Sequence, residues 1–422
     1  MVTGTLARSP ERTAWTVLLG AFATFVLLLA TVLFGGRWWL QNSSVSQNVT
    51  MAVTGTGTVL VTRPGRSAPE ANLSDIPVGS EVRTETNAQA SLTFLAADGR
   101  TVLATVRVFG ATVLQVVQAD SPRYATGVAP HRIDLRVTSG RLQATVGVDV
   151  PRQVQLKIDS DPGATTVLDE PGGNVSIDAA DPTITNVTVR DGQATVSAQG
   201  SDVLLSKDQR AQVRQLSAPV GPLPAEQNLV KDGDFAVPFD SIWQVDQQRV
   251  DPNEDPGTAQ VVTVDGRRTV HVNRGGINWA HVGITQDINR DVQGLTALRL
   301  NLDIRIDNQD LHNCGQFGTE CPLMVKITYI DVGGGLREWL QGFYLFYDPN
   351  LRNGLPYCGT CAIQYKHLVW PYSEWHTYSS DDLLRIFASN GAPAATIKSL
   401  TIYGEGHTFE SLFTDVQLLA NE

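Results

Sequence analysis

Cysteine and tryptophan are both missing from a long central stretch of this 422-residue chain, and that gap divides it. From residue 40 to residue 234 the only aromatic residues are Phe94, Phe109 and Tyr124. All four cysteines (Cys314, Cys321, Cys358 and Cys361) lie beyond the gap, with Trp243, Trp279, Trp339, Trp370 and Trp375. Catalytic signatures are missing too: no G-x-S-x-G, H-E-x-x-H or P-loop spacing occurs, so the sequence offers no ground for an enzyme. A pair such as Asp303 with Glu338 has the residue types for glycoside hydrolysis, but nothing in the sequence fixes the separation that chemistry needs. Basic residues are in deficit, 32 against 43 acidic ones for a net charge of -11, which argues against nucleic acid as a partner.

Charge and proline are absent from Thr13 to Phe34, TAWTVLLGAFATFVLLLATVLF. At about 1.5 Å per residue this run spans roughly 33 Å, enough to cross a bilayer core of about 30 Å. Arg8 and Arg12 precede it, and Arg37, Trp38 and Trp39 follow, the tryptophans suiting the headgroup zone. The run exceeds a signal-peptide h-region and lacks a clean cleavage site. It is expected to be an uncleaved single-pass anchor, with residues 1–12 as a cytoplasmic tail and the bulk of the chain outside. No second long apolar run follows it.

Beyond the anchor, alternation with a period of two dominates. Residues 35–54 are expected to be a linker and residues 55–215 an all-β domain of short antiparallel strands. There Leu92, Phe94 and Ala96 lead to Asp98-Gly99, and Val102, Ala104, Val106 and Val108 follow. Asp-Gly suits a two-residue hairpin because both turn positions need positive φ. The same reading gives a hairpin at Asp191-Gly192. The segment 216–227, LSAPVGPLPAEQ, carries three prolines and is expected to be a stiff spacer. From residue 228 to residue 422 a second all-β unit is expected, an antiparallel sandwich. Its signals are a hairpin at Asp265-Gly266 and the alternating Leu298, Leu300, Leu302, Ile304 and Ile306.

The stretches Ile76–Val116 (IPVGSEVRTETNAQASLTFLAADGRTVLATVRVFGATVLQV) and Val187–Val213 (VTVRDGQATVSAQGSDVLLSKDQRAQV) resemble the extracytoplasmic domain of the FecR family. Gly79, Val82, Thr84, Asp98, Gly99, Gly192 and Val196 occupy the pattern's positions. Asp208-Gln209 departs from its final Gly-Gln. That resemblance implies an envelope β-domain acting as a stalk or interaction module. Classic members signal through a cytoplasmic domain that contacts a sigma factor, and twelve residues before the anchor are too few to form one. A transmembrane sensor of envelope signals is the alternative, and a structural surface-assembly subunit a third.

The landmarks Asn228–Phe235 (NLVKDGDF), Trp279–Ile288 (WAHVGITQDI) and Thr414–Leu418 (TDVQL) resemble the galactose-binding-like jelly roll of many carbohydrate-binding modules. This implies binding of a glycan or another cell-envelope polymer, or of an envelope protein. The resemblance also implies a possible structural Ca²⁺ at Asp232, Asp234 and Asp415; no other cofactor is expected. Sugar recognition needs flat aromatic faces beside polar groups. The candidates are Trp339, Tyr344, Tyr347, Trp370, Tyr372 and Trp375, with Trp279 expected in the core. In an exported chain the four cysteines read first as disulfides, either Cys314–Cys321 with Cys358–Cys361 or pairs between the two couples. A Cys₄ zinc site is the alternative, because C-x2-C is a zinc-knuckle spacing.

Overall fold

A computed structural model describes residues 10–124, 127–346, 348, 357–358, 361 and 366–422. The apolar run is helical, Pro10–Ala30, and continues through a π-turn at Thr31–Gly35 into the helix Gly36–Asn42. Among the described residues one helix is long and apolar enough to cross a membrane, and its apolar side chains are exposed. The helix outlasts the expected span because Gly35 and Gly36 keep right-handed helical angles. No linker follows. Ser44–Ser46 pairs at once with Val113–Pro122, and Asn48–Gly55 is already a strand.

The chain divides into two compact units, one essentially up to Pro222 and the other from Leu223 to Glu422. Both are almost entirely β. In the first, the hub is one strand of 16 residues, His131–Val146. Its first half pairs antiparallel with Val113–Pro122 and parallel with Val154–Ser160. Its second half pairs antiparallel with Val102–Val108 and Asn174–Ala179. Gly140, at φ 91°, marks the changeover; a Cβ there would run into Thr112. Alternate residues of every ladder meet in one aliphatic core that includes Leu92, Phe94, Val106, Leu135 and Val196.

The chain reverses at Asp98-Gly99, but through a longer loop than two residues: Leu95 pairs with Val102, Ala96 N donates to Thr101 O, and of the dipeptide only Gly99 takes positive φ. Asp191-Gly192 does not make the expected hairpin. Ile184–Asp191 pairs with Asn174–Ala179, whereas Gln193–Ala198 pairs with Ser201–Ser206, so Gly192 turns the chain from one ladder to another. The tight turn lies instead at Gln199-Gly200, both at positive φ. The parallel pair also departs from the all-antiparallel expectation, since the chain returns through residues 147–153 alongside the strand it left. The proline-bearing segment is not bare spacer, because Val220–Pro224 is a strand.

The second unit is a sandwich of two six-stranded sheets. Its strands are β1 (Gln227–Asn228), β2 (Gln244–Arg249), β3 (Thr258–Val264), β4 (Arg267–Arg274), β5 (Ala280–Asp291) and β6 (Ala297–Gln309). They continue as β7 (Leu323–Asp331), β8 (Leu336–Tyr344), β9 (Leu368–Val369), β10 (His376–Ser379), β11 (Ala394–Gly406) and β12 (Phe409–Asn421). One sheet runs β3-β4-β12-β6-β10, with β1 on β12; the other runs β2-β5-β11-β7-β8-β9. Leu298, Leu300, Leu302, Ile304 and Ile306 all point into the core between them, with Trp243, Phe343 and Phe413. A short helix, Leu383–Ser389, was not foreseen; the Asp382 carboxylate caps it by accepting from Leu384 N.

Candidate ligand-binding face

The outward face of the β3-β4-β12-β6-β10 sheet brings the partly exposed Trp375 together with charged groups. It is built from the hairpin between β3 and β4. Asp265 and Gly266 both take positive φ (52° and 77°), closing a two-residue loop with Val264 opposite Arg267. The turn leaves Asp265 Oδ2 accepting from Trp375 Nε1 at 3.1 Å and 3.3 Å from Arg305 Nη1. Arg305 also donates through Nε to Asp307 Oδ1 at 2.8 Å, and that bond, with the surrounding carboxylates, holds its guanidinium above the ordinary arginine value.

One position along, Arg267 Nη1 donates to Asp303 Oδ2 at 2.7 Å, and Thr377 Oγ1 donates to Asp303 Oδ1 at 2.5 Å. The Arg267 guanidinium lies 5.7 Å from the centroid of the Trp375 ring, within cation–π range. Trp375, just before β10, and Thr377 within it both reach acids of this face, Asp265 and Asp303. Tyr372, 66% exposed, bridges Ile306 of β6. Beneath, Trp370 donates through Nε1 to Ile304 O and meets the Phe343 ring edge-on at 5.0 Å. The face therefore offers a half-exposed indole, an open phenol and paired acids and guanidinia, which are the groups that stack on and hydrogen-bond a polyhydroxylated ligand.

Of the five predicted aromatics among the described residues, Tyr372 is exposed and Trp375 partly exposed on a hydrogen bond to Asp265. Trp339, 2% exposed, is a core residue, because its position on β8 points between the sheets. Tyr344 is buried too, in a small cluster with Cys314, Cys321, Met324, Leu340 and Tyr403. Neither ring is open to a ligand, contrary to the sequence expectation. Trp370 is an underlayer, and Tyr347 lies outside the described residues. Trp279 is not in the core either; it is half-buried, with Nε1 donating to Glu405, and the central indole is Trp243.

The three aspartates foreseen for a cation are not gathered. Asp232 Oδ1 accepts from the Ala236 and Val237 backbone amides, and Asp234 and Asp415 are exposed. Among the described residues, the one close group of three potential ligands is Cys314, Cys321 and His367. The cysteines pair locally, Cys314 with Cys321 and Cys358 with Cys361. Asp303 and Glu338 sit on different sheets, so they form no catalytic pair.

The opposite sheet carries a polar knot that sequence reading missed. His281 lies 3.2 Å from Asp246 Oδ2 and 3.5 Å from Glu405 Oε2, and stacks on Tyr403 at 4.1 Å. Burial, then the nearby acids, pushes the Tyr403 phenol well above its ordinary value. Gly283 is required there, since a Cβ would strike the Tyr403 side chain and the Ile402 carbonyl. The knot is closed on itself and largely buried. Asp265, Arg267 and Arg305 were missed as well. The Asp-Gly turn was legible, but which strand its carboxylate reaches depends on the β4-β12-β6 order, which local pattern does not encode.

No family model matches the chain, and no curated protein matches it. Among solved structures, a putative anti-sigma factor from Parabacteroides distasonis is 17% identical over 33% of this chain, with a TM-score of 0.24. The chain covers 57% of that structure's length. The family 11 carbohydrate-binding module of the cellulase Lic26A-Cel5E of Clostridium thermocellum is 13% identical. That match covers 46% of this chain and 93% of the module, with a TM-score of 0.26. The module TmCBM61, solved in complex with beta-1,4-galactotriose, is 12% identical over 46% of this chain and 97% of its own, with a TM-score of 0.24.

Proposed function

We propose that this is a membrane-anchored, extracytoplasmic binding protein without catalytic activity. In this reading the first β unit is a stalk or interaction module. The terminal sandwich binds a glycan or another envelope polymer on the Trp375 face. The observation that carries the reading is the Trp375 indole, fixed by Asp265 and flanked by Arg267. An aromatic held by hydrogen bonds yet partly open stacks on a sugar with little ordering cost. A glycan and wall-polymer array with the detergent-solubilised full chain tests it. Binding is expected, and Trp375→Ala is expected to weaken it at least about tenfold, or about 1.4 kcal/mol. A folded protein that binds nothing on the array would sink the proposal.

A second reading, a transmembrane sensor, draws on the joint between helix and first β unit. The helix ends at Asn42, the first strand starts at Ser44, and Trp39 meets Tyr124 with ring centroids 5.7 Å apart. A joint without slack transmits movement. Recovery of a cytosolic protein by residues 1–42 would favour this reading.

A further inference from the structure

Cys314, Cys321 and His367 are buried together, their candidate ligand atoms within 4.8 Å of one another. The histidine is oriented as a ligand would be. Its Nε2–H donates to the Gly318 carbonyl at 2.7 Å, which fixes the tautomer and leaves the Nδ1 lone pair toward Gly342, whose N–H it accepts at 2.9 Å. A Cβ on Gly342 would strike both Cys321 Sγ and His367 Nδ1, so sulfur and nitrogen face each other across that glycine. A backbone carbonyl holding the far ring nitrogen is the usual outer-shell partner of a metal-bound histidine. Cys361 packs against the same cluster, bonded to Cys358 across a C-x2-C spacing.

We propose that this cluster is a redox-gated zinc site. Oxidised, it is closed by the two disulfides. Reduced, it binds one Zn²⁺ through Cys314, Cys321, Cys361 and His367. A dithiol or phosphine reductant cleaves each S–S bond with two electrons and two protons, giving two thiols and the oxidised reductant. Zinc then displaces the protons of three thiols and accepts the Nδ1 lone pair, which releases the Gly342 N–H. Zn–S bonds of about 2.3 Å and a Zn–N bond of about 2.0 Å set tetrahedral ligand atoms about 3.5–3.8 Å apart. The Cys314, Cys321 and His367 ligand atoms already lie within 4.8 Å of one another, so after reduction the two sulfurs must part and Cys361, which packs against their cluster, supplies the fourth ligand.

The full chain in detergent, reduced with a phosphine under anaerobic conditions, is titrated with Co²⁺ and then with Zn²⁺. One equivalent of Co²⁺ should give the visible d–d bands and thiolate charge-transfer band of a tetrahedral site, and Zn²⁺ should bleach them. The oxidised protein should give neither. His367→Ala and Cys361→Ser should each weaken Co²⁺ by more than the roughly 10–100-fold that losing an outer-shell partner costs. Zinc-edge absorption on the unsubstituted protein guards against variants that fail to fold, and three sulfurs with one nitrogen are expected. A four-sulfur shell, a tetrahedral spectrum unchanged by His367→Ala, or no tetrahedral spectrum in the reduced protein would overturn the proposal.

Discussion

Arg274 shows how much a single buried side chain organises in this chain. Its guanidinium is fully enclosed and donates to the carbonyls of Asp255, Asn278, Gly406 and His407, and to the Glu254 carboxylate at 2.7 Å. Glu254 in turn accepts from the Ile277 and Asn278 amides, and these bonds hold its carboxyl below the ordinary range. Replacing Arg274 by Met strands a carboxylate and four carbonyls at once. The expected cost is about 3–5 kcal/mol, read as a lowered urea midpoint of the second unit's transition. At the other extreme, Asp98 is exposed but collects the Thr101 hydroxyl and the Thr101 and Arg100 amides, which lower its pKa to about 2. Its folded value lies below the unfolded one, so its contribution is present above about pH 4 and lost as pH falls toward 2. Thr101→Ala should move the Asp98 carboxyl titration, followed by NMR, back toward 3.8.

Among the elements, hairpins set by Asp-Gly turns and strands set by alternation could be read from sequence. Asp98-Gly99 and Asp265-Gly266 pair the neighbours that their patterns imply, and the five alternating aliphatics of β6 all reach the core. Asp191-Gly192 failed because the same dipeptide also serves a corner between ladders, and the choice depends on which strands lie alongside. The aromatics were legible only as a set. Trp339 and Trp375 look alike in sequence, but β8 carries Trp339 into the core, whereas Trp375 precedes β10 and bonds Asp265. The opening and closing segments of the sandwich meet at Gly233, whose carbonyl accepts from Val416 N at 3.0 Å. A Cβ there would overlap the Val416 carbonyl, so Gly233→Ala should destabilise the unit by about 1–3 kcal/mol in thermal unfolding. In the hub strand of the first unit, burial and then Arg152 hold His131 below its ordinary value. The unfolded chain therefore binds that proton first. This contribution is complete above about pH 6.5 and lost on acidification below it, a loss that His131→Gln should remove from urea midpoints measured against pH.

At the level of the whole molecule, the account joins an apolar helix to two β units with different chemistry. The first has an aliphatic core and no cysteine or tryptophan beyond the helix, as suits a spacer. The second holds both disulfides and a face where the partly exposed Trp375 indole meets paired charges. The proposed binding role therefore rests on the second unit. The direct test is titration calorimetry of the detergent-solubilised full chain against the polysaccharides retained on the array, with Trp375→Ala in parallel. Saturable binding by the unsubstituted protein, weakened at least about tenfold in the variant, is the predicted result. Equal affinity in a correctly folded Trp375→Ala protein would contradict the account.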